Sequence, residues 1–116
     1  MRNRISFLLA FFLMAVALPA SAHAVLVAAT PQANATVHGN STRVRLQFNL
    51  RIDGERSRLL LVQPDGQERP LKASQPSADL LISEQKGLSP GWYELRWLVL
   101  AEDGHISRGE FRFLVE

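Results

Sequence analysis

An all-β Greek-key sandwich of about seven strands is the fold this sequence predicts, and three observations predict it. Val44, Leu46, Phe48 and Leu50 alternate with Arg43, Arg45, Gln47 and Asn49. A period of two puts one face of a strand in a core and the other in water. Short runs of the same kind recur at 24–29, 58–63, 78–83, 92–101 and 108–115, with 67–72 as an edge strand whose pairing Pro70 limits. Turn signals separate them: Thr30-Pro31, His38-Gly39-Asn40, Asp53-Gly54, Pro64-Asp65-Gly66 and Ser89-Pro90-Gly91.

The chain opens differently. Arg2 and Arg4 form a short basic region, residues 5–18 are apolar except Ser6, Pro19 breaks the run, and Ala20-Ser21-Ala22 gives the small-x-small pattern of a cleavage site. That is a cleaved signal peptide over residues 1–22. The apolar run falls short of the roughly 20 residues a membrane-spanning helix needs. Without Cys there is no lipid attachment site, and Arg2 and Arg4 are not adjacent as a twin-arginine signal requires. The predicted product is one domain, residues 23–116, outside the cytoplasm.

Export changes the charge balance. Two of the thirteen basic residues are in the leader, so the mature domain carries eleven basic and eleven acidic residues. A neutral domain gives no reason to expect nucleic acid as a partner. With no Cys to form a disulfide, stability must come from an apolar core, with a bound ion as the other available source.

Each later run has its own justification. Tyr93, Leu95, Trp97 and Val99 share one parity, and Phe111, Phe113 and Val115 share one on the following strand. These aromatics read as core rather than as a stacking platform. Leu98 and Leu100 have the opposite parity, which predicts a strand covered on both faces or lying at an apolar edge. The whole pattern resembles an immunoglobulin fold without its Cys pair.

Two places carry metal chemistry. Cleavage after Ala22 makes His23 the first residue, and a free amino-terminal His joins an amine to an imidazole in one chelate. Asp103 and His105 flank Gly104 in the loop between the last two strands, so in an extended stretch their side chains point the same way. By itself this Asp-x-His pair reads as a solvated turn, with Asp103 bonded to backbone amides. His38, in a Gly-Asn turn without companion ligands, reads as a surface residue.

Taken together, these features resemble the CopC-like copper resistance proteins over essentially the whole mature chain. The resemblance rests on His23-Ala24, Thr30-Pro31, Leu46-Gln47-Phe48, Leu88-Ser89-Pro90-Gly91-Trp92-Tyr93, and Asp103-Gly104-His105 leading to Gly109, Phe111 and Phe113. It implies an immunoglobulin-like or cupredoxin-like sandwich, a periplasmic location, no enzymatic activity, and one Cu(II) per chain bound by His23, Asp103 and His105. It also implies copper sequestration or delivery to an inner-membrane transporter of the CopD type.

The donor chemistry agrees. Two imidazoles, an amine and a carboxylate make a set that suits tetragonal Cu(II), with affinity falling as protons compete below about pH 6.5 to 8. The only methionines, Met1 and Met14, lie in the leader, so a thioether site for Cu(I) is not expected. Many relatives have an acidic residue where this chain has Asn49-Leu50, and Glu102 is the candidate substitute for that outer carboxylate. Two other readings use the same features. One is a small copper oxygenase built on the amino-terminal chelate. The other is a metal-free adhesion or assembly domain, which exposed aromatics or an unpaired sheet edge would favour.

Overall fold

The computed structural model describes residues 23–116; the predicted signal peptide lies outside the described residues. Nine strands form, β1 (Leu26–Thr30), β2 (Thr36–Val37), β3 (Thr42–Phe48), β4 (Ile52–Val62), β5 (Glu68–Leu71), β6 (Ser74–Ser77), β7 (Leu80–Gln85), β8 (Gly91–Ala101) and β9 (Ile106–Val115). They make a four-stranded sheet in the order β1-β3-β7-β6 and a five-stranded sheet in the order β2-β9-β8-β4-β5. All pairs are antiparallel except β2 with β9. The chain crosses to the other sheet for β2 and back for β3, and changes sheets again between β3 and β4, β5 and β6, and β7 and β8, which gives the Greek-key sandwich.

The seven expected strands correspond to β1, β3, β4, β5, β7, β8 and β9. Two short ones join them. β2 has two residues, too few to show alternation, and β6 reads Ser-Gln-Pro-Ser with every side chain exposed. The structure also corrects one turn. Asp53-Gly54 lies within β4, where the chain bulges away from β8 between Asp53 and Arg58. Ser57 closes the gap: its hydroxyl donates to the Asp53 carbonyl at 2.6 Å and accepts the Leu100 amide at 3.1 Å. A turn dipeptide can thus start a bulge when neighbouring polar groups satisfy the interrupted ladder.

The inward faces meet as the alternation predicts. Val44, Leu46 and Phe48 of β3 are buried against Leu61 of β4, Leu95 and Val99 of β8, and Phe113 and Val115 of β9. Tyr93 pairs with Phe113 across β8 and β9, and their rings stack at 5.5 Å. The opposite-parity leucines are half-buried on the outer face of the five-stranded sheet. There Leu60, Pro70 and Leu98 line a groove of about 620 Å³, bordered by Arg58, Arg96 and Arg108.

Tyr93 also fastens a corner of the sandwich. Its side chain is 1% exposed, and its hydroxyl donates to the Ser89 carbonyl, four residues upstream, at 2.8 Å. This is the tyrosine corner of immunoglobulin-like sandwiches, formed at the equivalent turn. Tyr93→Phe strands a carbonyl while keeping the stacked ring. Denaturant unfolding should register a loss of about 1–3 kcal/mol. An unchanged midpoint would show that the corner contributes nothing.

Candidate metal centre

His23 stands near one end of the sandwich on a short arm, residues 23–25, ahead of β1. Ala24 is 6% exposed and belongs to the core, so alternation turns His23 and Val25 outward. Three hydrogen bonds hold the arm. The Ala24 amide donates to Ser107 Oγ at 3.0 Å, and the Val25 amide donates to Asn49 Oδ1 at 2.8 Å. The Asn49 amide returns to the Val25 carbonyl at 2.9 Å.

Asp103 and His105 come from the hairpin loop joining β8 to β9. The Gly104 amide donates to the Ala101 carbonyl and the Ala101 amide to the His105 carbonyl, both at 2.9 Å, which closes the loop. Gly104 has φ of 91°, in the left-handed region that glycine adopts without a Cβ penalty. The His105 amide donates to Asp103 Oδ1 at 3.0 Å, and His105 Nδ1 lies 2.8 Å from Asp103 Oδ2. The bond from the His105 amide, reinforced by its imidazole, holds the Asp103 carboxyl below its ordinary range, so it is ionised at neutral pH.

The solvated-turn geometry is therefore present, and it leaves donor atoms of both side chains free. Asp103 does accept a backbone amide, as the turn reading expects. It also orients the His105 ring: a bond at Nδ1 leaves Nε2 with its lone pair outward, the arrangement in which a histidine donates to a metal. A carboxylate offers about four lone-pair positions, and the loop occupies two.

The arm and the loop meet. The rings of His23 and His105 pack edge to face with centroids 5.9 Å apart, a span that one ion at roughly 2 Å from each ring nitrogen can bridge. Among the described residues, no three His, Asp or Glu side chains are already gathered in an arrangement that would hold a metal ion. Asp103 faces the imidazole, and the two rings touch edge-on. Binding at this place thus requires side-chain rotation, or a donor beyond the side chains.

The other titratable candidates lie elsewhere. His38 is exposed, 3.8 Å from Glu116 at the terminus of β9, away from the hairpin loop. Glu102, the considered outer carboxylate, pairs with Arg51 at 3.0 Å and so ties the loop to the β3–β4 connection. The outer-face groove contains no histidine. Sequence reading missed Ser107 and the bond made by Asn49. Both bond to backbone amides distant in sequence, so no residue pattern announces them.

The fold and the site together define a class, the small immunoglobulin-like β-domain with two histidines and an aspartate brought close at one end. The chain belongs to the CopC domain family, whose domain matches residues 26–116. It is similar to Copper resistance protein C of Xanthomonas campestris pv. juglandis, with 36% identity over 107 residues that cover 84% of this chain and 83% of that one. The crystal structure of CopC from Methylosinus trichosporium OB3b superimposes with a TM-score of 0.73 at 27% identity, covering 81% of this chain and 94% of that chain. PcoC, a methionine-rich copper resistance protein from Escherichia coli, gives a TM-score of 0.66 over 82% of this chain and all of that one. At 21% identity this last likeness is one of fold.

Proposed function

We propose that this protein is an exported copper carrier whose mature form begins at His23 and binds one Cu(II) through His23, Asp103 and His105. In this reading it sequesters periplasmic copper or delivers it to a membrane transporter of the CopD type, and it catalyses no reaction. The observation that carries the reading is the edge-to-face approach of the His23 and His105 rings at 5.9 Å, with Asp103 bonded to His105. Residues from opposite ends of the chain meet where no core packing requires them.

The donor chemistry supports copper in its oxidised state. His23 contributes its ring and, after cleavage, its α-amine; His105 contributes Nε2 and Asp103 an oxygen. Such nitrogen and oxygen donors favour tetragonal Cu(II), at the top of the divalent affinity order. The relative described as methionine-rich differs here, because residues 23–116 of this chain contain no methionine.

Native mass spectrometry of the mature protein, before and after adding Cu(II), tests the reading. One copper per chain is expected, with a type 2, nitrogen-rich electron paramagnetic resonance spectrum and no intense blue band, since no thiolate is available. Two equivalents, or a blue charge-transfer band, would sink the one-site assignment. Peroxide formation driven by a reductant would instead favour the oxygenase reading.

Substitution separates the ligands. His105→Ala should weaken Cu(II) by more than the roughly 10–100-fold that loss of an outer-shell partner costs. Asp103→Ala should weaken it less, because it removes one oxygen and the orienting bond but leaves every nitrogen. Apo unfolding should barely move in either variant, both side chains being exposed loop residues.

A further inference from the structure

The arm that carries His23 is joined to the strand that carries the loop's continuation at a single hydrogen bond. The contacts of Val25 with Asn49 fasten the arm to the β3–β4 connection. Only the Ala24 amide, donating to Ser107 Oγ at 3.0 Å, reaches β9, two residues beyond His105. We propose that Ser107 is a positioning residue for copper binding: its hydroxyl sets the His23 chelate at the distance from His105 that one ion requires. This rests on the copper reading above.

The peptide plane transmits this constraint. The amide joining His23 to Ala24 is planar, so an acceptor on the Ala24 N–H also fixes the His23 carbonyl. Few torsions of His23 are then left to bring its ring and α-nitrogen to an ion. Without the hydroxyl, the first residue of the arm is free to swing, and copper binding must order it. Among the described residues, no other hydrogen bond joins this arm to β9. The carboxylate on the other side is already held by the loop, so the arm is the half of the site that needs holding.

Ser107→Ala removes the acceptor from a half-buried strand position without adding bulk, and Ser107→Thr keeps the oxygen with a strand-compatible side chain. Cu(II) competition titrations on protein beginning at His23 should show a roughly 10–100-fold loss for Ser107→Ala and recovery in Ser107→Thr. The copper spectrum of the alanine variant should broaden into more than one nitrogen environment, while its apo unfolding midpoint stays near the parent's. In apo protein the Ala24 amide should be protected from hydrogen exchange and lose that protection in Ser107→Ala.

A coupling experiment distinguishes positioning from general support. In protein extended by one residue before His23, where the His23 nitrogen is an amide and the amine–imidazole chelate is lost, Ser107→Ala should have little further effect. Wild-type affinity and spectrum in Ser107→Ala would overturn the assignment. So would a freely exchanging Ala24 amide in the parent protein, a result that does not depend on any variant folding. A parent protein that takes up no Cu(II) would instead overturn the copper reading itself, whatever the Ala24 amide does.

Discussion

A single residue added before His23 should weaken Cu(II) binding by more than the roughly 10–100-fold typical of an outer-shell change, and about as much as His23→Ala. The addition converts the α-amine to an amide, whose nitrogen has no basic lone pair, and moves the free amine one residue from the imidazole. Ala24 would remain in the core and Ser107 would keep its acceptor role, so apo stability should be nearly equal in the two forms. Competition against a chelator of known affinity measures the difference. Equal affinities would reduce His23 to a side-chain donor at most and remove the reason for a processed terminus in the site.

Gly109→Ala should cost the domain a large share of its stability although it adds one methyl group outside the loop. Gly109 pairs with Trp97 across β8 and β9, and a Cβ there would overlap the Trp97 indole. That ring is half-buried and meets Phe111 edge to face at 5.9 Å, so it cannot retreat without disturbing a second aromatic. Overpacking of this kind costs about 1–3 kcal/mol. For a domain of this size, each kcal/mol lowers Tm by about 4–8 °C. Trp97→Leu in the same chain should relieve part of the Gly109→Ala penalty, giving a double variant less destabilised than the two effects added. An unchanged Tm and unchanged tryptophan emission in Gly109→Ala would mean that the ring does not occupy the space the backbone leaves.

Much of the fold was legible because alternation is a local signal that survives in the tertiary structure. The parity of Val44, Leu46 and Phe48 translated directly into buried side chains, and that of Tyr93 and Leu95 into pairing with Phe113 and Phe111. What escaped was short or compensated. β2 is two residues long, β6 is wholly polar, and the bulge at Asp53 depends on the Ser57 hydroxyl, which no periodicity encodes. Leu98 and Leu100 announced an outer apolar strip, although not the groove that Pro70 and Leu60 complete.

The candidate centre divides in the same way. Residue type and spacing made His23, Asp103 and His105 visible, and only the family resemblance made them a ligand set, whereas their approach depends on where the arm meets the hairpin loop. That meeting is fixed by one serine and one backbone amide, a pair of groups too common for a sequence to flag.

The prolines of β5 and β6 have a consequence for how these molecules encounter one another. Both strands are outermost in their sheets, and Pro70 and Pro76 leave each without a full row of N–H donors. On the opposite rims, β2 spans only two residues and β1 pairs irregularly, with a register shift between Leu26 and Ala28. A flat, continuous rim invites a foreign strand to extend the sheet, and none of these four offers one. In a crowded compartment the sandwich resists growth by backbone pairing, which leaves side-chain surfaces and the histidine end as the places where another protein can engage it.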